Sequence, residues 1–152
     1  EGRPEIKRRI MEKQREIAQA RMMSEVPKAD VVVTNPTHYA VALRYDAQGM
    51  GAPRVVAKGA DLIAAQIRKV AAANDVVVMS APPLARALYH STKLNQEIPA
   101  GLYLAVAQVL AYVYQLKAVE ENGGVVPTPP SDLPVPDEFE KGPGGARRPT
   151  GR

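Results

Sequence analysis

Residues 30–46 read DVVVTNPTHYAVALRYD, and the fold turns on this stretch. Three valines in Ala29–Thr34 form a short apolar run of the length and β-branched character of a buried strand. Tyr39–Asp46 alternates loosely and reads as a second strand. Between them stands Asn35-Pro36-Thr37-His38, a turn signal.

Outward from this hairpin, Gln48–Pro53 is a loop and Arg54–Lys58 a third strand. Asp61–Ala73 is an amphipathic helix with Leu62, Ile63, Ile67 and Val70 on one face. Asp75–Met79 is a fourth strand, Pro83–His90 a short helix with proline at its start, and Ile98–Glu121 the longest helix. Its apolar positions include Leu102, Leu104, Val106, Val109, Leu110, Val113 and Leu116. On the amino side, residues 4–25 read as a polar helix whose stripe of Ile6, Ile10, Ile17 and Met22 is thin, so it buries little. Pro27 ends it. The order predicts a compact α/β domain: a small central four-stranded mixed sheet surrounded by helices. The third and fourth strands are joined by a right-handed helical crossover in this reading. Residues 1–28 are a linker helix and 29–122 the folded domain. Residues 123–152 hold seven of the fourteen prolines. So Pro/Gly-rich a segment is expected to be a disordered tail, because it buries too little to offset its ordering entropy.

Bulk composition narrows the chemistry. Twenty Lys and Arg against sixteen Asp and Glu give a net charge of +4. Eight basic and five acidic residues fall within residues 1–28, so the excess sits at the amino end. A surplus this small does not call for nucleic acid. The absence of cysteine excludes disulfides and thiol catalysis. His38 and His90 are the only histidines, too few and too isolated for a metal site, and no cofactor motif is present. His90 reads as a surface or capping residue. No run approaches eighteen apolar residues, so no membrane-spanning segment is expected. The chain opens on Glu1 rather than Met, as a piece of a longer protein would.

The dipeptide Asn35-Pro36 carries a specific reactivity. The usual asparagine reaction, attack by the next backbone nitrogen on the side-chain amide, is closed because the proline nitrogen has no hydrogen. The reverse attack stays open. The Asn35 side-chain nitrogen adds to its own backbone carbonyl, the bond to Pro36 breaks, and the proton passes to the proline nitrogen. The products are a C-terminal succinimide and a free N-terminal Pro36. A fold accelerates this by holding a near-attack conformation, by donating hydrogen bonds to the oxygen that gains charge, and by moving protons. His38 is a side-chain type able to pass a proton near neutral pH. Thr37 has a hydroxyl that can brace the turn or relay a proton. By itself the tetrapeptide reads first as a plain turn. Its place between two strands adds some weight to cleavage, since the new ends would stay held by their ladders.

Three runs together carry a resemblance: DVVVTNPTHYAVALRYD, then APRVVAKGADLIAAQIRKVA, then APPLARALYHSTKLNQEIPAGLYLAVAQVLAYVYQLK. Over residues 4–118 the chain closely resembles the cytoplasmic domain of the FlhB/YscU/SpaS family of type III export switch proteins. The resemblance implies an inner-membrane protein with this domain on the cytoplasmic face, self-cleaving in the motif matched by Asn35, Pro36, Thr37 and His38. Asn35 matches the nucleophile and Pro36 the new N-terminus. The reaction is single-turnover and intramolecular, not that of a trans-acting protease. It implies control of a switch in export from rod and hook proteins to filament proteins. Partners would be export substrates, other export-gate proteins and a secreted length-control protein. It also implies an apolar pocket for early-substrate signals at Ala52, Pro53, Ala107 and Leu110. Ordinary core packing is the competing reading of those four. The third run favours the flagellar branch over the virulence branch. A docking module in which cleavage has no part is the remaining alternative.

Overall fold

The computed structural model describes residues 3–36, 38–49 and 51–140. Helix α1 spans Pro4–Met23, with proline in its first turn, where a missing N–H costs nothing. Ile6, Ile10 and Ile17 are about half exposed, and only Met23 at its end enters the core. A 3-10 turn at Val26–Lys28 then leads into strand β1, Val31–Asn35. The strand begins two residues after the Ala29 and ends one residue after the Thr34 that bound it in the sequence reading. Strand β2 is Tyr39–Arg44 and β3 is Arg54–Ala60. Helix α2, Asp61–Ala73, has the predicted bounds. Strand β4 is Val77–Ser80, later than predicted, because Asp75 turns the chain with a φ of 59° before it can extend. Helix α3 is Pro82–Ser91. Helix α4 is Tyr103–Asn122, preceded by a 3-10 turn at Ala100–Leu102.

The sheet order is β3-β2-β1-β4. β1 runs antiparallel to β2 and parallel to β4, and β2 runs antiparallel to β3. The sheet is therefore mixed and four-stranded, as predicted. α2 joins two strands that run the same way at opposite edges.

Both faces of the sheet are covered, which is why β1 opens with three consecutive valines rather than alternating. Val31, Val33, Val41, Leu43, Val55 and Met79 share one cluster with α3 and α4. Val32, Ala40, Ala42, Val56 and Ala57 share the other with α2, Met23 and Val26. Consecutive residues of β1 point to opposite faces, so its three valines serve two cores. On α2 the buried residues are Ala64, Ile67 and Ala71, whereas Leu62, expected on the inner face, is exposed. A Cβ at Gly59 would overlap the Ile63 side chain, so glycine lets α2 close tightly on β3.

Helix α4 is apolar on more than its inner face. Ala105, Val106, Val109, Leu110 and Val113 are buried, while Tyr103, Leu104 and Tyr114 are exposed. Leu104, one of its apolar positions, is 60% exposed. By length and composition Ala100–Asn122 is apolar enough to cross a membrane, which the sequence reading did not anticipate. One face of it forms core here.

The first part of the expected tail meets the domain. Residues 123–140 are described, and Leu133, Val135 and Phe139 pack against the α3–α4 core cluster. A 3-10 turn at Asp137–Phe139 presents the phenylalanine. Gly101 is its seat: a Cβ there would come within 2.6 Å of Phe139 Cε2. A segment too poor in apolar residues to fold by itself orders here because the domain supplies the apolar surface. Residues 141–152 lie outside the described residues. Phe139→Ala should therefore lower unfolding stability by about 1–2 kcal/mol, the value of a part-buried ring. Denaturant titration reads this; an unchanged midpoint would mean the tail contributes nothing.

Candidate functional site

The Asn35–Pro36 bond lies in the loop that joins β1 to β2. Asn35 closes β1, opposite Tyr39, the first residue of β2. The Asn35 carbonyl accepts a hydrogen bond from the His38 N–H at 2.9 Å. This is a four-residue turn with proline second, where its fixed φ suits the geometry. Asn35 is half-buried, and Pro36 and His38 are exposed. Thr37 lies outside the described residues.

The two sides of the bond are held by different neighbours. On the amino side, Thr34 is buried, its hydroxyl donates to the Met79 carbonyl at 3.4 Å, and its own carbonyl accepts from the Ala81 N–H at 2.9 Å. On the carboxyl side, the His38 carbonyl accepts from the Asp61 N–H at 3.0 Å. Asp61 opens α2 with a φ of 51°, a conformation that aspartate tolerates better than most residues. The turn is thus tied through β4 on one side and the start of α2 on the other.

Chemically, the carbonyl carbon of Asn35 is the electrophile in side-chain cyclisation. Its oxygen already faces one backbone N–H at the distance useful for stabilising developing charge.

Beside the turn is a cluster the sequence reading missed. The Tyr39 ring stacks on Tyr89, centroids 4.3 Å apart and planes at 25°. His90 stands edge-on to both, at 5.4 Å from Tyr39 and 5.1 Å from Tyr89. His90 is exposed and in the last turn of α3, as expected, but it also belongs to this ring cluster. Burial, with the Lys58 and Arg86 charges, holds its imidazole below the usual histidine range. Lys58 of β3 donates to the Tyr89 carbonyl at 2.8 Å and the Thr92 carbonyl at 2.9 Å. Burial lowers its ammonium from the ordinary lysine value. The visible signal is a lysine directly after the apolar run Val55, Val56 and Ala57.

The second candidate site is an open depression of about 360 Å³ lined by Tyr45, Gly51, Ala52, Pro53, Tyr103 and Ala107. Three of the four residues singled out from the sequence, Ala52, Pro53 and Ala107, meet there. Leu110 does not line it: it is 5% exposed and sits in the core cluster. Residues three apart on a helix differ by about 60° in direction, enough to place one at the surface and the other inside. Tyr45 and Tyr103 supply aromatic walls that the sequence did not reveal. Tyr114 is near this end of the domain, and burial with the Asp30 charge raises its phenol above the ordinary range.

Comparison with known proteins gives a consistent result. A family model described as the FlhB HrpN YscU SpaS family matches residues 1–113. The flagellar biosynthetic protein FlhB of Escherichia coli (strain K12) is 55% identical over 140 residues, which cover 92% of this chain and 37% of that protein. The chain thus spans well under half the length of that relative. The crystal structure of the cytoplasmic domain of FlhB from Shewanella putrefaciens superposes with a TM-score of 0.76 at 54% identity, covering 81% of this chain and 95% of that one. A mutated EscU C-terminal domain superposes with a TM-score of 0.60 at 34% identity, covering 64% of this chain and 90% of that one.

Proposed function

The chain belongs to the FlhB HrpN YscU SpaS family, and from that premise we propose that it is the cytoplasmic switch domain of a flagellar export-gate protein that cuts itself between Asn35 and Pro36. The observation that carries this reading is the placement of that bond. It sits in a hairpin turn anchored on both sides, with the reacting carbonyl hydrogen-bonded to the His38 N–H at 2.9 Å.

Cleavage proceeds by attack of Asn35 Nδ2 on the Asn35 carbonyl carbon. The carbon–nitrogen bond to Pro36 breaks and the amide proton ends on the proline nitrogen. The hairpin restricts the side chain to conformations near attack. The His38 N–H stabilises the oxygen as it gains charge. The His38 imidazole and the Thr37 hydroxyl assist proton movement. The cut frees the loop without releasing the strands, and the changed loop surface switches export from rod and hook proteins to filament proteins.

α1 is the linker from a membrane-embedded part of the full protein on the inner membrane, with this domain on the cytoplasmic face. The depression at Ala52, Pro53 and Ala107 docks the apolar signals of early substrates. Its small residues and aromatic walls suit an apolar side chain. The length-control protein and other export-gate components are further partners. The flagellar assignment is favoured by 55% identity to a flagellar biosynthetic protein against 34% to the EscU domain.

The decisive experiment is the denatured intact mass of freshly purified protein, before and after incubation near neutral pH. Two fragments, 1–35 and 36–152, are expected, with masses summing to that of the whole chain, or to one water more once the succinimide opens. A single stable full-length species would leave a docking domain that does not cut itself. For the docking surface, Ala107→Glu should fold normally, because Ala107 is exposed. It should weaken binding of an early-substrate signal peptide by about tenfold or more, about 1.4 kcal/mol. Unchanged affinity in a titration would remove the depression from the reading.

A further inference from the structure

Lys58 is a charged residue placed where the strand pattern asks for an apolar one. Its predecessors Val55, Val56 and Ala57 are buried. Its ammonium reaches out of the sheet to the last turn of α3, where the Tyr89 and Thr92 carbonyls accept from it at 2.8 and 2.9 Å. Carbonyls at a helix C-terminus lack intrahelical partners and carry partial negative charge, so a cation there is well placed. The same ammonium is 5.1 Å from the centroid of the Tyr89 ring. That ring stacks on Tyr39. Tyr39 is the register partner of Asn35 on one side and of Ala60 on the other. A continuous set of contacts therefore runs from Lys58 through Tyr89 and Tyr39 to the last strand pair before the scissile turn.

We propose that Lys58 is a positioning residue for cleavage at Asn35–Pro36, acting through the Tyr89–Tyr39 stack on the strand pair that closes the turn. The inference rests on the self-cleavage reading and adds a residue 23 positions away from the bond. The physical reason is that cyclisation needs the side-chain nitrogen close to, and aligned with, the carbonyl carbon. A displacement of about 1 Å in such a reaction costs about 100-fold in rate. Tyr39 cannot shift without moving the backbone opposite Asn35. Lys58 holds the end of α3, and α3 brings the ring that keeps Tyr39 in place.

The test follows fragment appearance in freshly synthesised chains, quenched in acid and weighed intact. The chains are wild type, Lys58→Met, Lys58→Arg, Tyr89→Phe, Tyr89→Ala and the double variant Lys58→Met/Tyr89→Ala. Lys58→Met should slow cleavage by about 10- to 100-fold. Lys58→Arg keeps a cation able to bind both carbonyls and should recover most of the rate. Tyr89→Phe keeps the stacked ring and should cleave like wild type, while Tyr89→Ala should be slow. The double variant should be no slower than the slower single variant, because both changes break one chain of contacts. Each substitution is also placed on an Asn35→Ala chain, whose denaturant midpoint separates loss of positioning from loss of fold. If Lys58→Met unfolds there, the Tyr89 pair of variants decides alone. Wild-type rates in a folded Lys58→Met or Tyr89→Ala, no recovery with Lys58→Arg, or multiplying effects in the double variant would overturn the inference while leaving self-cleavage intact. A wild-type chain that never yields fragments removes both.

Discussion

Asn35→Ala should leave one full-length species in the mass spectrum under conditions in which the wild type is expected to yield residues 1–35 and 36–152. The substitution removes the only nitrogen that can reach the Asn35 carbonyl carbon from its own side chain. It leaves the rest of the site in place. The backbone still presents the carbonyl to the His38 N–H, and the register with Tyr39 does not depend on the side chain. Asn35 is half-buried at the end of a strand, so the fold should change by no more than about 0.5 kcal/mol. Loss of cutting with an unchanged denaturant midpoint is the expected pair of results. Fragments of the same masses from the Asn35→Ala chain would mean that another group cuts the bond, and the cyclisation mechanism would fail.

The second large effect concerns the framework that holds the turn. Leu43→Ala should destabilise the domain by about 2–5 kcal/mol, the range for removing a buried leucine side chain. Leu43 is fully buried in β2, faces the α3–α4 side, and pairs with Val31 and Val55. Its carbonyl also accepts the Asp30 N–H at 2.8 Å, which fixes the entry into β1. The measurement is best made on an Asn35→Ala chain. A cut domain is two chains, and its unfolding depends on concentration. The urea midpoint should fall by about 0.7 M or more, since m-values of small domains are about 1–3 kcal/mol/M. A shift of a few tenths of a kcal/mol would show that the core relaxes around the smaller residue.

Much of this architecture could be read along the chain because its signals are local. The valine run, the turn tetrapeptide and the α2 periodicity each fall within a few residues, and α2 was placed with its observed ends. What could not be read is what depends on partners far away in sequence. Lys58 shows only as a misfit in a strand until α3 folds over it, 31 and 34 residues later. Leu133, Val135 and Phe139 have no period to reveal them, and they bury surface only because α3 and the start of α4 offer some. Ala107 and Leu110 divide between surface and core according to how α4 is rolled on the sheet, which its own sequence, uncharged from residue 103 to 116, does not specify. At the candidate cleavage site, the sequence shows the Asn35–Pro36 pair. The hydrogen bond on the Asn35 carbonyl and the ties through Ala81 and Asp61 needed the assembled sheet.

The position of β1 has a mechanical consequence. It is an inner strand with five register pairs to β2 and four to β4, and after a cut at residue 35 it is, among the described residues, the only strand of the amino-terminal piece. A load transmitted along α1 would reach β1 from its amino end and draw it lengthwise between its two neighbours. In that direction the ladders on both sides are strained together rather than unzipped one bond at a time. The uncut hairpin would share such a load through the turn. The cut domain would carry it by shear alone, so severing one covalent bond creates a joint whose lifetime depends on force.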